Sequence, residues 1–222
     1  MKTVKKYSPK ALGSAQLRKL DVEGEWKDLL GEPERRGSWI VWGRSYSGKT
    51  SFCVKLARYI AEIGERVAYI SLEEGSSVTM QRAFEREAAK NVNNRLALWC
   101  DMDLEEIEAE LDKQRSPQVV VIDSVQYLGI NYAGYKRLRA KYPQKLFVFV
   151  SHANETKEPS GATASRIRYD ASVKIMVEGF VAHAFSRYGG GEPMTIWEEG
   201  AELNTNKKQK DNGKEEESSD EE

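Results

Sequence analysis

Four short apolar runs stand out along the chain: 38–42 (SWIVW), 67–72 (VAYISL), 119–122 (VVVI) and 146–150 (LFVFV). Each has strand length, and unbroken apolarity over that length predicts a strand buried on both faces. Between the first two runs the period changes. Cys53, Leu56, Ala57, Ile60 and Ala61 recur at helical spacing over 49–63, and Gly64 suits the cap that follows. Residues 78–91 read as a second helix and 96–100 as a short strand. Asp103 is placed to cap a third helix with Glu106 as its capping-box partner, and Leu104, Ile107 and Leu111 line one face of it. Strands alternating with helices predict βαβ units, hence an α/β fold with a mainly parallel sheet flanked by helices. Beyond residue 170 the runs 172–177, 181–187 and 194–197 are short and joined by glycine-containing turns, which predicts an antiparallel C-terminal extension of that sheet. No repeat is evident.

The length of 222 residues fits one domain with tails, and no apolar run approaches membrane-spanning length. The basic start MKTVKKYSPK is followed by no apolar stretch, so a secretory leader is not expected. Cys53 and Cys100 form no CxxC pair, which disfavours a structural zinc or redox motif and makes a reduced, cytoplasmic setting the expectation. The net charge of −1 conceals an asymmetry: residues 1–20 carry six basic and no acidic side chains, while the final EEESSDEE is acidic throughout its charged positions. Such ends read either as solvated tails or as a basic arm for phosphate backbones with an acidic tail competing for the same surface. The expected organisation is a basic arm over 1–25, an ATPase domain over 26–202 and a disordered acidic tail over 203–222.

The first apolar strand runs directly into Gly43-Arg44-Ser45-Tyr46-Ser47-Gly48-Lys49-Thr50, a full G-x-x-x-x-G-K-[ST] pattern followed by Ser51 and a helix. The chemistry of phosphate binding requires this order. Glycines let the loop turn its N–H groups inward, the helix adds its positive end, Lys49 supplies a point charge to the β- and γ-phosphates, and the Thr50 hydroxyl is a hard ligand for Mg²⁺. Asp123, at the end of the 119–122 run, lies where open α/β sheets bind ligands and is placed to hold the same cation through water. Glu73 and Glu74 close the run at 67–72, and an acidic residue there can orient the water that attacks the γ-phosphate. Glu73 is favoured, with Glu74 as the alternative.

Together GRSYSGKT, YISLEEG and VVVIDSVQYL resemble the RecA superfamily, most closely its RadA/Sms and DnaB-type branch. In that resemblance they stand as Walker A, the acidic residue after the second strand, and Walker B. LLGEPERRGSWIVWG looks like the family's lead into the P-loop, and AFSRYGGGEP is similar to its K-x-R-[FY]-G segment. The resemblance implies Arg187 as a finger reaching a neighbouring subunit's γ-phosphate, and His152 as the γ-phosphate sensor. Phe185 departs from the pattern, standing where the family has lysine. The zinc module and protease-like domain of full RadA/Sms are not seen, so the chain resembles a minimal RecA core of the kind phages encode.

The resemblance also implies MgATP as cofactor, single-stranded DNA as ligand, copies of the same chain in a ring or filament as partners, and a replication or recombination protein as a further partner. No membrane role is expected. The loops after the Asp123 and His152 strands would face the DNA. Lys136, Arg137 and Arg139 with Tyr132 and Tyr135 mix cations and rings in the first, and Lys157, Arg166 and Arg168 lie in the second. The segment YAGYKRLRAKYP reads equally well as an amphipathic helix with Leu138 and the tyrosines inward. The expected function is a DNA-associated ATPase of recombination, repair or replication in a bacterial or phage-infected cell. The alternatives are a helicase motor and a nucleotide-dependent protein-assembly switch without DNA. A small-molecule kinase is disfavoured, because no Arg-rich lid is present.

Overall fold

A computed structural model of the chain describes residues 6–13, 17–87 and 89–205. Lys2, Lys5 and the EEESSDEE tail lie outside the described residues. After a short helix α1 (Pro9–Gly13) and α2 (Gly24–Leu30), the chain alternates strand and helix. The strands are β1 (Gly37–Gly43), β2 (Val67–Ser71), β3 (Leu96–Cys100), β4 (Val119–Asp123), β5 (Leu146–His152), β6 (Val173–Glu178), β7 (Val181–Ser186) and β8 (Met194–Thr195). The helices between them are α3 (Lys49–Glu62), α4 (Val78–Arg86), α5 (Leu104–Asp112), α6 (Val125–Leu128), α7 (Tyr132–Lys141) and α8 (Ala162–Asp170).

All eight strands form one sheet in the order β3-β2-β4-β5-β1-β6-β7-β8. Every neighbouring pair from β3 to β6 is parallel, and β6–β7 and β7–β8 are antiparallel. The burial of each strand follows from its place. β1, β2, β4 and β5 are buried along almost their whole length, because helices cover both faces. β6 alternates buried and half-buried positions, as a strand with one wetter face does. One core, with Trp39, Val41, Val121 and Val148, packs under α3; the other, with Ile40, Ile122, Phe147 and Phe149, packs under α5, α7 and α8.

Three local expectations shift. The helix expected over 78–91 stops at Arg86 and gives way to a 3-10 segment, Ala89–Arg95, that leads into the edge strand β3. YAGYKRLRAKYP is the amphipathic helix α7, with Tyr135 and Leu138 fully buried and Tyr135 packed edge-on against Phe149 at 5.4 Å. Residues 198–205 form a helix, so regular structure extends past the expected domain end at 202.

Asp103 accepts a hydrogen bond from the Glu106 N–H, and the Glu106 side chain accepts one from the Asp103 N–H, each at 2.9 Å. Losing the Asp103 cap in Asp103→Ala is expected to cost about 1 kcal/mol. Phe149→Ala, which opens a cavity between Tyr135 and Phe147, is expected to cost about 3–5 kcal/mol. Urea unfolding checks both: the midpoints should fall in that order, with the slope unchanged.

Candidate functional site

Side chains two apart in a strand share a face, so the α3 side of the sheet receives Tyr69 and Ser71 from β2, Asp123 from β4 and His152 from β5. These strands are parallel and in close register, with Ser71 opposite Asp123 and Gly43 opposite His152. Their carboxyl ends therefore reach one edge together, where the P-loop turns from β1 into α3.

The loop is held from three sides. The Gly43 carbonyl accepts from the Ala153 N–H at 2.9 Å, the Ser47 carbonyl accepts from the Phe180 N–H at 3.0 Å, and Arg44 Nη2 donates to the Glu155 carbonyl at 3.0 Å. Glycine is required at both ends. A Cβ at Gly43 would lie 2.2 Å from the Val177 carbonyl oxygen, and Gly48 has φ +97° with the Phe180 ring 2.8 Å from a Cβ position. Phe180 in turn packs edge-on against Trp197 at 5.0 Å, so the β6–β7 turn backs the loop. Inside, Ser47 Oγ is buried and unpartnered among the described residues. Lys49 Nζ donates to the Arg44 carbonyl at 2.8 Å across the loop. Arg44, Ser45 and Tyr46 are exposed at the loop's tip, and Ser51 accepts from Arg86 Nη2 at 2.7 Å. A cavity of about 310 Å³ opens beside the loop, lined by Gly43–Ser47 on one side and by Lys157, Val177 and Asn204 on the other.

Asp123 is buried, and its Oδ2 accepts a 2.6 Å hydrogen bond from the Tyr69 hydroxyl. Burial pushes the Asp123 carboxyl up to about 6; the Tyr69 bond and Lys49 oppose that rise, while Glu73 and Glu74 add to it. Burial lowers the Lys49 pKa, opposed by Asp123, Cys53 and Glu73. Lys49 and Asp123 thus sit close enough to stabilise each other's charge. Thr50 follows Lys49 in the first turn of α3. An orphaned hydroxyl inside a glycine-bounded loop, a lysine across its mouth and a buried carboxylate facing the helix's start fit a triphosphate with its divalent cation.

The two glutamates after β2 have separate surroundings. Glu73 Oε2 lies 3.2 Å from His152 Nε2, bridging over the end of β4. Glu74 instead accepts from the Thr79 and Ser77 hydroxyls at the start of α4. Arg187 is exposed and follows β7, with its N–H on the Ser172 carbonyl at the amino end of the parallel strands. The length of β1, about 20 Å at 3.3 Å per residue, separates that edge from the chain's own P-loop.

The six basic residues expected to contact DNA do not form one cluster. Lys136 and Arg166 gather over the Tyr132 ring, at 5.6 and 5.4 Å. Arg137 pairs with Glu108 at 3.0 Å, and Arg139 donates to the Tyr135 hydroxyl at 3.2 Å. Lys157 pairs with Glu178 at 3.0 Å beside the P-loop cavity, and Arg168 pairs with Glu158 and lies over Trp42. Two contributors escaped the sequence reading. Tyr69 could have been noticed as the one side chain with a polar tip inside an apolar strand; Phe180 left no signal, because its contact with Gly48 is purely tertiary.

No family model matches the chain, and no curated protein matches it. Among solved structures it is similar to the flagellar accessory protein FlaH from Methanocaldococcus jannaschii, with a TM-score of 0.56 at 16% identity over 81% of this chain and 97% of that one. It is similar also to the ATPase domain of a DnaB-like helicase, with a TM-score of 0.50 at 14% identity over 72% of this chain and 80% of that one. At such identities the likeness is one of fold, and the architecture is RecA-like.

The electrostatics of Asp123 carry a signed consequence. Its folded pKa, about 6, lies above the ordinary 3.8, so its contribution to stability is full below 3.8 and is lost as pH rises through 6. In buffer without nucleotide or divalent cation, Asp123→Asn is expected to melt above the wild type at pH 7.5, by up to about 3 kcal/mol in stability. The gain should shrink as pH falls through 6 and vanish near 4. Thermal melts across that range check it, and a gain independent of pH would contradict the assignment.

Proposed function

We propose that the chain is a MgATP-hydrolysing ATPase that works on single-stranded DNA as an oligomer, in recombination, repair or replication. The observation that carries the nucleotide reading is the gathering of Lys49, Asp123, Glu73 and His152 at the sheet edge where the P-loop turns. In this reading the loop N–H groups, the Ser47 hydroxyl and Lys49 hold the phosphates, and the cavity toward Asn204 takes the nucleoside. Thr50 and Asp123 hold Mg²⁺, Asp123 through water; the bound cation supplies charge neutralisation between the β- and γ-phosphate oxygens. Glu73, oriented by His152, accepts the proton of a water that attacks the γ-phosphorus as the bond to the β–γ bridging oxygen breaks. ADP and phosphate leave. The position of Glu73 against His152, with Glu74 bound to α4, favours Glu73 over Glu74 for this role.

Arg187 acts in trans, since its own P-loop lies at the opposite edge of the sheet. Lys136 and Arg166 around Tyr132 are the best placed of the basic residues for a nucleic acid backbone with a stacked base. A second reading, a nucleotide-dependent assembly switch without DNA, is favoured by the engagement of Arg137, Lys157 and Arg168 with Glu108, Glu178 and Glu158.

Lys49→Ala is expected to lose tight binding of a fluorescent ATP analogue, while Glu73→Gln should bind it nearly normally and hydrolyse ATP at least about 100-fold more slowly. ATP turnover measured with and without single-stranded DNA separates the readings: stimulation supports the DNA ATPase, and turnover indifferent to DNA supports the switch. Arg187→Ala should bind ATP yet lose about 10³-fold in rate. Mixed with Glu73→Gln subunits, it should regain activity at the mixed interfaces; co-assembly without such a gain would assign Arg187 elsewhere.

A further inference from the structure

A phenol buried in a strand must find a hydrogen-bond partner, because an unmet hydroxyl away from water costs about 1–3 kcal/mol. Tyr69 is fully buried in the middle of β2, among aliphatic neighbours and edge-on to Phe84 at 5.7 Å. Its Cα partner across the strand pair is Val121, two residues before Asp123 on the same face. That diagonal is within reach of an aromatic side chain of tyrosine's length, and the hydroxyl meets Asp123 Oδ2 at 2.6 Å. No other side chain among the described residues hydrogen-bonds the Asp123 carboxylate. Oδ2 is occupied by a fixed donor, the ring is locked by packing, and Oδ1 is left as the acceptor for a ligand at the P-loop edge.

We infer that Tyr69 is the positioning residue of the cation site. It fixes the rotation of the Asp123 carboxylate and keeps it a ligand for Mg²⁺-bound water, without touching nucleotide or metal. The inference rests on the reading of Asp123 as the Mg²⁺ holder. Outer hydrogen bonds of this kind commonly set metal affinity by about 10- to 100-fold. A phenylalanine at 69 would pack against Phe84 equally well, so the hydroxyl serves the carboxylate and not the core.

The test is equilibrium binding of a fluorescent ATP analogue to the full chain over a Mg²⁺ series and, separately, in excess EDTA. Tyr69→Phe is expected to raise the Mg²⁺ concentration for half-maximal binding about 10-fold or more, and to leave binding in EDTA unchanged. In an Asp123→Asn background the same change should add nothing. An unchanged Mg²⁺ requirement in Tyr69→Phe, beside a raised one in Asp123→Asn, overturns the role of Tyr69 alone. No rise in either variant overturns the cation site itself. A loss equal with and without Mg²⁺, or additive to that of Asp123→Asn, makes Tyr69 a packing residue and sinks the proposal.

Discussion

Parallel alignment of β1, β2, β4 and β5 is the constraint from which the site follows. Such strands carry helices on both faces, so their lengths must be apolar and their polar residues can appear only where they stop. Because all four run the same way, these stops share one edge. A P-loop after β1, Asp123 at the end of β4, Glu73 after β2 and His152 at the end of β5 thereby become neighbours from four distant parts of the sequence. The insertion of β5 between β1 and β4 has a further effect: it brings His152 level with Gly43 and sets it against Glu73.

Close approach supplies the loop's rigidity. Gly43 lies against the Val177 carbonyl, and the Phe180 ring against Gly48, so β6 and the turn after it form a wall behind the phosphate cradle. Trp197 supports that wall, which ties the P-loop to the antiparallel extension and to the helix at 198–205. The C-terminal strands thus belong to the machinery of the loop and are more than an appendage to the sheet.

Inside the site, burial and charge work against each other. Removing Asp123 from water disfavours its anion, while Lys49 and the Tyr69 hydroxyl favour it. The balance leaves a carboxyl poised to gain from a cation, since a divalent ion offsets the desolvation that the fold imposes. Lys49 shows the mirror image: desolvation weakens its ammonium, and the nearby acidic groups restore it. Each group is tuned by the other, and a phosphate-bound cation between them is the arrangement that satisfies both.

The elements themselves were legible in the sequence, because their signals are local. An unbroken run such as VVVI has no stable home except a doubly covered strand, G-x-x-x-x-G-K-T constrains its own backbone, and Asp103 with Glu106 closes its capping box within four residues. The choice between Glu73 and Glu74 was not legible. Adjacent, chemically identical carboxylates differ only in which way the chain turns after β2, and that turn is set by His152 on one side and the start of α4 on the other. The character of YAGYKRLRAKYP was equally open, until the space above Phe149 accepted Tyr135 and made it a helix. Arg187 read as a finger by its segment alone, yet its distance from its own P-loop comes from β7 running antiparallel to β6. Local pattern sets what each segment becomes; which side chains meet depends on strand order and register, and those are fixed only when the whole sheet is packed.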